Sequence, residues 1–110
     1  MARMKISGYD FEGPHSIDTT EIPANRAAVY VIMCKASSDG KYYVEDVGET
    51  GEVGVRIADH ERRPCWRREC IGSLSVYLRY MRSAAGYTSE DRRKLERKIR
   101  EQYHPPCGKR

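Results

Sequence analysis

The feature that most constrains this fold is one unbroken apolar run, AAVYVIMC at residues 27–34, rich in β-branched side chains and of strand length. A turn follows in Ser37-Ser38-Asp39-Gly40, whose Asp-Gly pair is a strong hairpin signal. KYYVEDV at residues 41–47 then returns antiparallel to the first strand. Further on, residues 73–81 alternate Leu74, Val76, Leu78 and Tyr80 against Ser73, Ser75, Tyr77 and Arg79, which predicts a third strand with one buried face.

Helices are expected between and after these strands. Residues 51–63 place Val53, Ile57 and His60 or Glu61 on one helical face, with Thr50 as the candidate cap. Pro64 interrupts, and residues 65–71 form a short second helix. The last helix is the best signed: Thr88 and Asp91 have capping-box spacing, and Glu90 and Asp91 suit a helix amino end. Leu95, Ile99 and Tyr103 recur every four residues as its buried stripe, and Pro105-Pro106 stops it. Residues 1–26 read as irregular because Gly8, Gly13, Pro14 and Pro23 break any period, with Ile6, Tyr9, Phe11 and Ile17 lying along the sheet or covering one end of the core. The expected fold is α+β, a small three-stranded antiparallel sheet flanked by helices over residues 27–110, with residues 1–26 packed on it.

A chain of 110 residues leaves room for one domain. No stretch approaches the ~18 apolar residues of a membrane span, and the first residues carry no apolar signal-peptide segment, so the expected location is cytoplasmic, without a membrane partner. Four cysteines, Cys34, Cys65, Cys70 and Cys107, are then expected as reduced thiols. The Cys65–Cys70 spacing around Trp66 fits neither a zinc knuckle nor a zinc ribbon. Charge is unevenly placed: residues 1–55 hold 5 Lys/Arg and 9 Asp/Glu, a net −4, whereas residues 56–110 hold 15 and 7, a net +8. An Arg-rich half of that charge suits a phosphate backbone, and suits a solvated helix face equally well.

Ala28-Val29-Tyr30, Asp46-Val47-Gly48-Glu49-Thr50, Arg56, His60 and Glu96 together resemble the GIY-YIG nuclease domain family. That family has a strand ending in Gly-Ile-Tyr, a second ending in Tyr-Ile-Gly, and a first helix with an Arg eight residues after the last Gly and often a His four later. Gly48, Arg56 and His60 keep those two intervals. A Glu in the family's final helix binds a divalent metal, and Glu96 is followed here by Tyr103 and Pro105-Pro106, similar to the family's closing Tyr-x-Pro-Pro. The resemblance covers residues 27–107. Ala28 replaces the first Gly, Asp46 stands in the place of the second Tyr, and Gly108 follows the Pro pair where many relatives carry Asn.

The resemblance implies an endonuclease hydrolysing phosphodiester bonds in DNA with Mg²⁺ or Mn²⁺. Tyr30, with His60 and Asp46, would handle protons, Arg56 would hold the scissile phosphate, and Glu96 would bind the metal. Such hydrolysis needs an aligned water, neutralised phosphate charge and a proton acceptor, which these residue types supply. Asp46 would serve as base in place of Tyr, or join Glu96 as a second metal ligand. Each residue also has a plainer role: a core tyrosine at Tyr30, an ion pair of Arg56 with Glu52 or Asp59, a helix-end histidine, an i,i+4 partner of Arg92 or Arg100 at Glu96, a strand-end acid at Asp46. The alternative function is a catalytically inactive module on the same fold, binding nucleic acid, or binding protein through Tyr77, Tyr80 and Tyr87. DNA against RNA and the oligomeric state stay open.

Overall fold

The computed structural model describes residues 3–17, 22 and 25–108. Five strands form one antiparallel sheet: β1 (Arg3–Ile6), β2 (Tyr9–His15), β3 (Ala28–Ala36), β4 (Tyr42–Thr50) and β5 (Gly72–Tyr80), in the order β1-β2-β5-β3-β4. Three α-helices accompany it: α1 (Val53–Ala58), α2 (Arg63–Glu69) and α3 (Ser89–Tyr103). The class is α+β, but the sheet has five strands where three were expected.

The two added strands come from the segment expected to be irregular. Ser7 and Gly8 both take positive φ, 52° and 85°, which makes the two-residue turn of a tight hairpin joining β1 to β2. Gly13 and Pro14 do disturb β2, where its register on β5 shifts between Glu12 and His15, but the strand continues through them. Ile6 and Phe11 reach the core and pack in one cluster with Leu95 and Ile99.

β5 is also covered more fully than its alternation suggests. Val76 and Leu78 join Trp66, Val53 and Ile57 on the face packed by α1 and α2, while Tyr77 joins Val31, Val47 and Leu95 on the α3 face. Both sides of the sheet are therefore core, which is why seven successive residues of β3, from Ala28 to Cys34, are buried.

The helices differ from expectation in instructive ways. Pro64 sits in the first turn of α2, where its missing N–H and fixed φ are favourable, so it begins this helix and does not interrupt the previous one. α1 ends at Ala58, which leaves His60 in the connection between helices. Thr50 does not cap α1, whose N-cap is Glu52; its hydroxyl accepts from the Glu52 N–H at 3.1 Å. In α3 the capping box forms as expected, with Thr88 Oγ1 accepting from Asp91 N–H and Asp91 accepting from Thr88 N–H. Leu95 and Ile99 are buried, whereas Tyr103 is 40% exposed and leaves the stripe.

All four cysteines are paired, Cys34 with Cys70 and Cys65 with Cys107, contrary to the expectation of free thiols. Both bonds hold α2: Cys65 lies within it and Cys70 caps its end. The second ties α2 to the segment after α3, whose Cys107 N–H donates to Glu45 O on β4. Reduction should lower stability by ~2–4 kcal/mol per bond, since each closes a long loop of the unfolded chain. Urea titrations with and without a phosphine reductant measure this, and coincident midpoints would show that neither bond constrains the unfolded state.

Candidate functional site

β3 and β4 supply the centre of the site. Tyr30 lies opposite Gly48, and Ile32 opposite Asp46, so these four share the face covered by α1 and α2. The Tyr30 ring runs directly across Gly48: a Cβ there would collide with its hydroxyl oxygen. Gly48 is thus required by close approach, and any side chain at that position would expel the Tyr30 phenol from its place.

The phenol meets the loop after α1. Tyr30 Oη and His60 Nε2 are 2.7 Å apart in a buried contact. His60 Nδ1 accepts the Arg62 backbone N–H at 3.0 Å, and a backbone amide can only donate. Burial, with Arg56 and Arg62 adding, holds the imidazole down at about 4, so the ring is neutral at physiological pH. A neutral ring accepting at Nδ1 carries its hydrogen on Nε2. His60 therefore donates to Tyr30, and the phenol's own O–H is left to point at something else. Burial pushes the Tyr30 phenol up to about 12, opposed by Arg56 and Arg62 and reinforced by Asp46 and Glu96.

Arg56 stands close enough to Tyr30 for each to perturb the other's ionisation. Its guanidinium is gripped by both oxygens of Glu61, with Nη2 donating to Oε1 at 2.9 Å. That hydrogen bond pulls the Glu61 carboxyl down to about 2. Neither Glu52 nor Asp59 is this partner; Glu61 belongs to the loop, which α1 reaches only because it stops at Ala58. Arg56 and His60 meet around Tyr30 through the loop's fold, not through a shared helical face.

Asp46 is not placed for proton transfer or metal binding. Its side chain is 0% exposed and accepts five hydrogen bonds: from Val47 N–H, Trp66 Nε1, Arg100 Nη2, and the Nε and Nη2 of Arg62. A carboxylate offers about four lone-pair sites, so no acceptor capacity is left over. Asp46 instead ties α2, α3 and the Arg62 loop to β4, and Gly108 lies against it, where a Cβ would come within 2.8 Å of both Arg62 Nε and Asp46 Oδ1.

Glu96 lies in a polar row of α3 beside its apolar stripe, at the four-residue interval from Arg92 to Arg100. Arg92 Nε donates to Glu49 Oε2 at 3.1 Å, Arg100 donates to Asp46 and to Val47 O, and Arg100 Nε lies 3.7 Å from Glu96 Oε2. Through Arg100 the row reaches one backbone acceptor, Val47 O, of β4, the outermost strand on that side of the sheet. The Glu96 side chain is 9% exposed and lines a cavity of about 710 Å³ whose cationic wall is Arg93, Arg97 and Arg100. Among the described residues, no three His, Cys, Asp or Glu side chains converge as a metal site. Glu96 and Glu101 are the carboxylates on that wall, and Glu96, the more deeply placed of them beside Arg100, could hold a Mg²⁺ ion only with water and substrate phosphate completing its shell.

Arg62 and Trp66 escaped sequence reasoning as members of this site, whereas Arg92 and Arg100 entered it only as i,i+4 partners of Glu96, a pairing that Arg100 makes. The i, i+4, i+8 recurrence of Arg92, Glu96 and Arg100 alongside Leu95 and Ile99 was the available signal for part of this set. Of the tyrosines expected to form a protein-binding surface, Tyr77 is buried in the core. Among the described residues, no helix is long and apolar enough to cross a membrane. No family model matches this chain, and neither a curated protein nor a solved structure matches it significantly.

Proposed function

We propose that the protein is a GIY-YIG-like endonuclease that hydrolyses phosphodiester bonds in DNA. The observation that carries this reading is the buried Tyr30–His60 pair at 2.7 Å, set beside the Arg56 guanidinium. Tyr30 handles the proton of the attacking water, His60 fixes the phenol by donation from Nε2, and Arg56 takes the scissile phosphate in exchange for Glu61. Asp46 acts as a positioning residue, through Arg62 and the β4 backbone. Glu96 would hold a divalent metal, which when bound neutralises charge on the phosphate. The wall of Arg93, Arg97 and Arg100 beside it favours a strand of phosphates. As for compartment, the two disulfides favour an oxidising environment over the cytoplasm.

Plasmid nicking in Mg²⁺ or Mn²⁺ tests the assignment. Arg56→Ala should lower the nicking rate by about 10²-fold, and Glu96→Gln should abolish its dependence on the metal. A wild-type protein that retards DNA in a gel, weakens steeply with salt and never nicks it would replace this reading with that of an inactive nucleic-acid-binding module.

A further inference from the structure

A second cavity, of about 660 Å³, opens on another part of the molecule, around the bulge in β4. The register of β4 on β3 slips between Ile32 and Met33, so that Asp46 pairs with Ile32 and Val44 with Met33, which leaves Glu45 as the extra residue. Its backbone carbonyl is taken by Cys107 N–H. Its side chain lines the cavity, the residue is 5% exposed, and one carboxylate oxygen, Oε2, is buried with no hydrogen-bond partner among the described residues. A buried acceptor left in that state is costly, and such groups are rare enough to call for an explanation.

The surroundings define what would satisfy it. Glu69 also lines the cavity, and its charge reaches Glu45. The remaining titratable groups on the wall are Lys5, Tyr42, Tyr43, Tyr103 and His104. Lys5, the one lysine among them, is held by Asp10 at 2.9 Å, and among the described residues Glu69 pairs only with the exposed Arg68, at 3.4 Å. Two carboxylates exclude an anion. A hydrated divalent cation would leave the apolar part of the wall unused. Ile6, Met33 and Val44 make part of the wall apolar, suited to an alkyl stem. At the same time Tyr42, Tyr43, Ile71 and Tyr103 are four of the six large hydrophobic side chains exposed among the described residues, and all four gather here, Ile71 at 81% exposure. Their rings offer faces to a cation.

We infer that this cavity binds an alkylammonium group, the amine of a free polyamine or of a lysine side chain, with Glu45 as the buried counter-ion and Glu69 as its neighbour. A compact ammonium on a slender stem reaches one buried oxygen in a way that a flat guanidinium fork does not. The proposal is independent of the nuclease reading, since neither Glu45 nor Glu69 belongs to the Tyr30 site or to the wall around Glu96.

Burial, with the Glu69 charge adding, holds the Glu45 carboxyl up to about 7. An alkylammonium stays protonated well above that, so its binding should tighten about tenfold between pH 6 and pH 8 as Glu45 ionises. Amide spectra of ¹⁵N-labelled protein, titrated at pH 8 with n-butylammonium, spermidine and Nα-acetyl-lysine methylamide, provide the test. The expected result is saturable shifts at the amides of Val44, Glu45 and Cys107 with n-butylammonium, weakened at least tenfold by Glu45→Gln. The tighter of the other two ligands then identifies the source of the amine as a polyamine or a lysine side chain. Absence of saturable shifts with n-butylammonium, or equal binding by a well-folded Glu45→Gln, overturns the proposal. Should that variant not fold, the wild-type Glu45 carboxyl can be followed directly by ¹³C: its titration midpoint must fall on saturation with n-butylammonium, and a midpoint that stays put is equally fatal.

Discussion

Asp46→Ala should cost about 3–5 kcal/mol of folding stability, the largest loss expected of any single polar substitution in this chain. The side chain is wholly buried and receives donors from four residues, two of them the guanidiniums of Arg62 and Arg100. Alanine leaves those guanidiniums, the Trp66 N–H and the Val47 N–H without their acceptor, and their desolvation is no longer compensated. The loss spreads through the fold because each donor comes from a different place: the loop before α2, α2 itself, α3 and β4. Asp46→Asn, which keeps the shape and one acceptor oxygen, should cost about half as much. Asp46→Tyr, which restores the residue expected from the family resemblance, should be at least as damaging as alanine, since it fills a packed site and removes the same acceptor. Urea midpoints with the disulfides intact measure all three. A loss below ~1 kcal/mol for alanine would mean that the two arginines escape to solvent and that Asp46 does not tie the elements together.

That network explains which parts of the molecule were readable beforehand. β3, the Asp39-Gly40 turn, β4, β5 and the boxed start of α3 each carry their signal within a few residues, in a period or a cap. The β1–β2 hairpin does not: its strands are short, its turn is the unremarked Ser7-Gly8 pair, and Gly13-Pro14 resembles a break because a bulge uses the same residues that end a strand. The cysteine pairings span 36 and 42 residues and have no local signature. At the site, the intervals between Gly48, Arg56 and His60 did select residues that meet around Tyr30. The physical reason was different, because α1 ends before His60 and a loop makes the approach. Asp46 was singled out for chemistry, yet its neighbours Arg62, Trp66 and Arg100 arrive from 16, 20 and 54 residues away, a convergence visible only after folding.

Tyr30→Phe should reduce nicking by about 10²–10⁴-fold, more than any other substitution at the site, if the phenol moves the water's proton. The ring still packs over Gly48, so the fold survives, at a cost of ~1–3 kcal/mol for the His60 Nε2–H that loses its acceptor. The pH profile separates this role from catalysis by histidine. The active form under the proposal is the phenolate, and Tyr30 titrates at about 12, so the rate should rise about tenfold per pH unit from pH 6 to pH 9. His60 must be neutral with Nε2 protonated; it titrates at about 4 and is already neutral across that whole range, so it adds no inflection. Phosphate binding to Arg56 in place of Glu61 exchanges one anion for another beside the phenol, so the direction of the slope is unchanged in the complex. A rate that instead levels off above an inflection near 4, and does so still in Tyr30→Phe, would make His60 the base and reduce Tyr30 to its support. A rate unaffected by Tyr30→Phe would remove the phenol from the chemistry altogether, and with it the single contact on which the nuclease reading depends.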